Sequence, residues 1–509
     1  MDKYKQSLSR RGFNAASTAA TIAFACGWGP SALADAAVTP KRGGTLRIAR
    51  TAAIDDFKLD DAIANETYEL SQAVMEPLLR YGADGKTVKP GLAKSFEVAA
   101  DGKSISFTLQ DNARFSDGKK LTTDDVIFSV NQWKAGANYG PVYALITSVD
   151  KIDDQNFRFN LSSRNASLPA FLTWSVAGIV PDKFGGRAAE AFWLKPVGAG
   201  PFIVTDWEAS GAINLVRNPY YYAQDRPYVD AIISTLPDNN QCALQFKAGE
   251  VDIVSELVPV TSVHYAKKRL IEAPTHYTDV LIFNTTLAPL DDVRLRKAMA
   301  LAIDYNAIAN GLYKGLAQTP TGFLPPNVGM WAPPSKPYFK QNVEAAMALL
   351  KETGMQGHAF DLTYPPSYEL VSQLVQQSLQ AIGLKINLVP TDSGTFVAQT
   401  SSGKFQLAIW SYNAISPSIG DPVSFILSTS YFFSGYSPKN LQASLQDFFE
   451  GETEAAQIKA VTAMQDEGSE AVPFVALDHY QIGTAVAANI HGVESPPWGN
   501  IYYDGIWKS

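Results

Sequence analysis

Cysteine is almost missing from this chain of 509 residues: there are two, Cys26 and Cys242. If Cys26 belongs to a removed leader, a single thiol remains and no disulfide can close within the chain. Histidine is also scarce, at five. His264, His276, His358, His479 and His491 are scattered, with no HExxH pair and no metal-ligand spacing, and no GxSxG elbow occurs elsewhere. These absences remove the common hydrolase and metalloenzyme signatures, so no catalytic residue, no metal site and no cofactor is expected. Gly85-Lys86-Thr87 invites a phosphate-loop reading, but Arg80 occupies the place of that motif's first glycine. The net charge is −8, which speaks against a nucleic-acid partner. No apolar run past the N-terminus reaches the ~20 residues that a membrane span requires. Internal repeats and low-complexity linkers are missing too. The acidic pairs Asp55-Asp56, Asp60-Asp61, Asp124-Asp125 and Asp153-Asp154 fall beside expected turns or helix starts. Carboxylates there accept from free backbone N–H groups, so the pairs read as caps rather than as acid/base machinery.

What is present begins with an export leader. Lys3, Lys5, Arg10 and Arg11 precede a mildly apolar stretch rich in Ala and Thr, and Ala32-Leu33-Ala34 offers small residues at the cleavage positions. Ser9-Arg10-Arg11-Gly12-Phe13 resembles the twin-arginine motif, so residues 1–34 are expected to be a signal peptide of that type. An ordinary secretory leader and a lipoprotein cleavage before Cys26 are the alternatives. Removal of 1–34 takes away a net +3 and leaves the mature chain at −11.

The length exceeds what one hydrophobic core usually serves, so two or more domains are expected. Val280, Leu281, Ile282 and Phe283 form an apolar run too short for a helix and read as a buried strand. Asp291 and Asp292 then supply a helix start, and Val293, Leu295, Met299, Ala302 and Ile303 follow at helical spacing. A buried strand feeding a helix near mid-chain marks a crossover between two α/β lobes. Before it, strands are expected over 43–49, in hairpins over 81–90, 96–109 and 149–161, and over 202–207 and 212–217, with helices within 62–79, ending near Pro77, and over 124–134 and 243–248. The glycines of PVGAGPF, 196–202, are expected to allow positive φ in a rigid turn. After the crossover, strands over 360–364, 384–389 and 405–410 alternate with helices over 343–350, 371–381 and 455–467. A strand over 472–477 is expected to return to the first lobe.

Six segments occur in order: GGTLRIA (43–49), RFSDGKKLTTDDVIFSV (114–130), PVGAGPF (196–202), VRNPYYY (216–222), AGEVDIV (248–254) and FNTTLAPLDDVRLRKAMALAID (283–304). Together they resemble the family 5 extracellular solute-binding proteins, the dipeptide, oligopeptide and nickel-binding components of ABC importers. The resemblance implies an α/β, two-lobed periplasmic binding protein of the class II type, with a hinge of two crossing segments and a ligand cleft between the lobes. Lobe one would comprise 43–278 plus 472–509, with an inserted subdomain at about 81–195, and lobe two 279–471. It implies a periplasmic, monomeric, non-enzymatic protein that captures a small-molecule or peptide ligand and passes it to ABC importer permease subunits. An exported hydrolase or a peptide-binding chaperone are the rival readings.

Ligands of open α/β lobes sit outside the carboxyl ends of strands. Thr51, Ala52 and Ala53 are therefore expected to line the cleft from lobe one, with Trp498 from the C-terminal tail. Lobe two offers Trp410, Tyr412 and Tyr431, among further rings at Phe432, Phe433 and Tyr436. In dipeptide-type relatives an aspartate in this loop pairs with the ligand's α-ammonium, and the matching residue is Asp421; capping the helix that opens at Pro422 is its other reading. The chain departs from those relatives at their carboxylate-binding arginine. No Lys or Arg stands between Lys351 and Lys385, and only Lys404 between 386 and 438. The ligand is thus expected to be neutral or cationic with an apolar or aromatic body, unless Arg47 or Arg50 reaches across to hold a carboxylate.

Overall fold

The computed structural model describes residues 39–50, 53–54, 56–58, 65–82, 87–136, 140–208, 211–272, 277–326, 331–413, 435–436, 439–494 and 501–509. Among the described residues, two seven-stranded mixed sheets dominate. The first runs, in spatial order, Leu270–Glu272, Gly483–Val486, Ile253–Leu257, Thr45–Ala49, Ala231–Thr235, Ile213–Arg217 and Phe202–Trp207. Thr45–Ala49 lies parallel to both of its neighbours, with Leu46 opposite Ile232 and Ile48 opposite Ile253. The second sheet runs Ala317–Gln318, His479–Tyr480, Tyr277–Phe283, Leu407–Asn413, Ala359–Tyr364 and Lys385–Pro390, with Phe474–Ala476 also paired to Tyr277–Phe283. All seven residues of Tyr277–Phe283 are buried, because apolar side chains face a core on each side of the sheet.

A four-stranded antiparallel sheet, Ala93–Val98, Ser104–Leu109, Asn156–Leu161 and Ile146–Lys151, stands within the expected insertion. Phe107 and Phe157 stack on its inner face with centroids 5.2 Å apart. Helix Thr123–Ala135 covers that face, and the Asp125 carboxylate at its start accepts from the Thr122 and Asp182 amides, each at 2.8 Å. At the mid-chain helix Val293–Ala302 the Asp292 carboxylate accepts from the Arg294 amide, as the pattern of acids predicts.

Two expectations need correction. Gly198 and Gly200 do not adopt positive φ. They are required by close approach instead: a Cβ on Gly198 would lie 2.0 Å from the Val74 carbonyl oxygen, at the end of helix Asn65–Val74, and Gly200 donates its amide to that carbonyl at 2.8 Å. The segment 472–477 does not return to the first sheet. Phe474–Ala476 pairs antiparallel with Tyr277–Phe283 in the second, and the chain joins the first sheet only at Gly483–Val486. An apolar strand between two cores reads alike for either sheet, so its partner was not legible. Arg296, buried, fixes this arrangement by donating to the carbonyls of Ala471 and Val472 at 2.6 and 2.8 Å, the free end of helix Glu454–Ala471.

Candidate functional site

The parallel strands set where a cleft can form. Ala49 and Thr235 end side by side in the first sheet, with Val254 opposite Ala49 near the start of its strand, and the loop that leaves Ala49 holds Ala53, exposed, between Ala49 and the buried anchors Ile54 and Phe57. Thr51 and Ala52 lie outside the described residues. Arg50 is buried, and its guanidinium donates to the carbonyls of Ser234 at 2.9 Å and Gly211 at 2.7 Å, so it braces the first sheet. Arg47 is exposed.

In the second sheet Ala359–Tyr364 runs parallel to Lys385–Pro390 and Leu407–Asn413. Beyond Tyr364 a short turn carries Tyr368, whose hydroxyl lies 2.7 Å from the Ser411 hydroxyl and whose ring centroid is 5.8 Å from that of Trp410. Trp410 is half-buried and stacks on Phe396 at 5.0 Å. Tyr368 falls in the stretch between Lys351 and Lys385 that carries no Lys or Arg, and its place beside Trp410 depends on the turn that folds it there. Tyr412 is not a cleft residue. It is 2% exposed, packs edge-on against Phe474, and donates its hydroxyl to the Phe323 carbonyl at 3.0 Å. Trp410 and Tyr412 share one face by strand alternation, but the face deepens into core within two residues. Tyr436 is tied to Glu467. Asp421, Tyr431, Phe432, Phe433 and Trp498 lie outside the described residues.

The two segments that cross between the sheets meet residue for residue. Tyr277 opposes Tyr480, with the rings stacked 5.6 Å apart. Thr278 Oγ1 lies 2.8 Å from His479 Nδ1, both buried. Next along, the Asp279 amide donates to Asp478 Oδ1 at 3.2 Å, which sets the two acidic side chains beside each other. Tyr313 donates to Asp279 Oδ2 at 2.6 Å. Both aspartates have no solvent exposure. Burial pushes Asp279 up to about 6 and Asp478 well above the carboxylate range, because a charge removed from water without a cation favours the neutral acid. An aspartate inside the apolar run YTDVLIF was a signal the sequence contained. Its partner, 199 residues away, was not readable.

Two mixed α/β units joined through a pair of crossing segments, with loops gathered at the carboxyl ends of their parallel strands, define the class of two-lobed binding proteins. The model of the bacterial extracellular solute-binding proteins, family 5 (middle), matches residues 87–433, and the chain belongs to that family. A probable di/tripeptide-binding protein 5 of Pseudomonas aeruginosa (strain UCBPP-PA14) is 27% identical over 422 residues, covering 76% of this chain and 79% of the relative. The fold is shared with the dipeptide-binding protein of Pseudoalteromonas sp. SM9913 in complex with Met-Leu, at a TM-score of 0.81 and 19% identity, covering 92% of this chain and 100% of the other. It is shared equally with the PBP AgaA from A. tumefaciens R10 in complex with agropinic acid, at a TM-score of 0.81 and 23% identity over 92% and 99%.

Proposed function

We propose that this protein is the exported capture component of an ABC importer, taking a small peptide-like or other small organic solute into the cleft between its lobes and presenting it to the membrane permease. No step of bond chemistry is assigned to it. The relatives' di- and tripeptide names support a peptide-like solute. The observation that carries the ligand's character is the pairing of Trp410 with Tyr368 at the carboxyl ends of the parallel strands, in segments whose only basic residue between Lys351 and Pro438 apart from Lys385 is Lys404. Rings without a cation suit a neutral or cationic body through stacking and cation–π contact, whereas a buried ligand carboxylate would stay unpaired. In this reading Thr51, Ala52, Ala53, Asp421, Tyr431 and Trp498 complete the lining, Asp421 meets a ligand ammonium, and closure turns on the crossing segments near 277–280 and 478–482. Arg50, committed to backbone carbonyls of its own sheet, weakens the case for a first-lobe clamp on a carboxylate.

A calorimetric screen of free dipeptides, their amidated and N-blocked forms, and aromatic amines tests the reading. Neutral or cationic members should bind, and Asp421→Asn should weaken a cationic ligand by about 1–3 kcal/mol while sparing a neutral one. Tight binding confined to free dipeptides would overturn it. Twin-arginine export to the periplasm is part of the same proposal: exchanging Arg10 and Arg11 for Lys should hold the precursor in the cytoplasm, and normal periplasmic levels would reassign the leader.

A further inference from the structure

The crossing segments carry a feature that solute capture does not call for. Three consecutive cross-strand pairs join them: ring to ring at Tyr277 and Tyr480, hydroxyl to imidazole at Thr278 and His479, carboxyl to carboxyl at Asp279 and Asp478. The third pair is chemically unlike the others. Two carboxylates in contact repel, and two carboxylic acids at neutral pH require a strong reason to stay protonated; one shared proton turns the contact into a single hydrogen bond.

The groups around the pair bring neutral donors and no cation. Tyr313 donates to Asp279 from the segment after the mid-chain helix, and Tyr480 faces it from the returning segment. Tyr368 lies close enough to feel both aspartates from the turn beyond Ala359–Tyr364. His479 is turned to Thr278, and Glu256, an acid, meets the far side of Tyr277 through its hydroxyl. Among the described residues no lysine or arginine acts on either aspartate. Asp279 Oδ1 and Asp478 Oδ2 make no hydrogen bond, so the Tyr313 hydroxyl and the Asp279 amide reach only one oxygen of each carboxyl and leave the other without a donor.

We propose that Asp279 and Asp478 share one proton across the hinge, that this proton ties the two crossing segments together, and that its release as pH rises loosens them and shifts the lobes toward the open form. The step is a plain acid dissociation: the O–H bond between the carboxyls breaks, the proton leaves to solvent, and two carboxylates remain facing each other in a low-dielectric site. Relief comes from separating the segments or admitting water, and either favours opening. The capture function then inherits a pH dependence, with ligand retained better in acid than in alkali. That consequence rests on the capture reading, while the hinge proposal itself does not.

The test therefore uses the intact chain without ligand. In infrared difference spectra the wild type should show the carbonyl band of a protonated carboxylic acid at about pH 6, lost on raising the pH, and Asp478→Asn and Asp279→Asn should each remove it. Between about pH 5 and pH 8 the wild-type melting temperature should fall by about 2 °C or more relative to Asp478→Asn, whose amide supplies a permanent donor. The radius of gyration from solution scattering should rise with pH in the wild type and stay constant in Asp478→Asn. Absence of the band, or the same pH profile in variant and wild type, overturns the shared proton. A titrating band with an unchanged radius overturns the coupling to lobe opening. Should Asp478→Asn fail to fold, Asp279→Asn and the wild-type titration decide the matter without it.

Discussion

Two buried acidic sites in this molecule solve the same problem in opposite ways. Asp504, 1% exposed, is met at 3.1 Å by both Arg80 and Arg226, and these guanidiniums hold its carboxyl below the usual range despite burial. At the hinge Asp279 and Asp478 are as deeply buried and shift upward, since a proton stands where the cations would. Glu76 shows the intermediate case. It shares Arg80 with Asp504 at 2.6 Å, yet desolvation outweighs half of one guanidinium and pushes it up to about 7. The comparison teaches that burial by itself fixes no protonation state: the count of cations within reach decides it. A cation makes a joint that persists across physiological pH, whereas a proton makes one that answers to pH.

The contrast can be broken most severely at Arg80. Arg80→Ala strips Asp504 and Glu76 of their common partner, opens the stack on Tyr502, whose ring lies 4.7 Å below the guanidinium, and should cost about 3–5 kcal/mol in denaturant unfolding. A loss under 1 kcal/mol would show that Arg226 alone suffices. The pH dependence of stability comes next in size. A folded acid with a raised pKa keeps a proton that the unfolded chain has released, so the hinge pair should lower stability as pH rises from about 4 through 6, by on the order of 3 kcal/mol. Asp504, held low, works in the other direction: its stabilisation is present above about pH 4 and is lost as pH falls further. Chemical denaturation at half-unit steps from pH 3 to 8 should therefore show a maximum on the acid side of neutrality, and Asp478→Asn should remove only its alkaline slope.

Tyr313→Phe sharpens the comparison at the hinge. It deletes the donor to Asp279 and should cost about 1.5–3 kcal/mol above pH 6, where that carboxylate is ionised, and less below. An equal loss at both pH values would assign the cost to packing. The smallest effect is expected where charges are exposed. Lys151 pairs with Asp124 and Asp154 beside the four-stranded sheet at 2.7 and 2.9 Å, and Lys151→Ala should leave the denaturation midpoint essentially unchanged because water screens both pairs.

Much of this arrangement was open to reading from residues alone, because its signals are local. The apolar run at 280–283, the acids before Val293 and the hairpin over 96–109 all lie within a few residues of the structure they specify. That no Lys or Arg stands between Lys351 and Lys385 is equally a matter of reading one stretch. Tyr412 was misplaced because periodicity gives the face of a strand and not the depth of the layer above it. The glycines of 196–202 were assigned a turn role when their reason lies in Val74, more than 120 positions earlier.

What the sequence determined by itself was a part of the elements, the two-lobed class and the family, since each rests on spacing within a segment or on the order of segments; the strands at 231–235, 253–257, 270–272 and 483–486 were not read from it. Which strands pair was decided only in the folded chain. Phe474–Ala476 joins the sheet of Tyr277–Phe283 rather than the one it was expected to enter, and that pairing draws Asp478 onto Asp279. A protonation state follows from distances between groups far apart in sequence and from the solvent excluded around them. Neither quantity exists until the two crossing segments lie side by side.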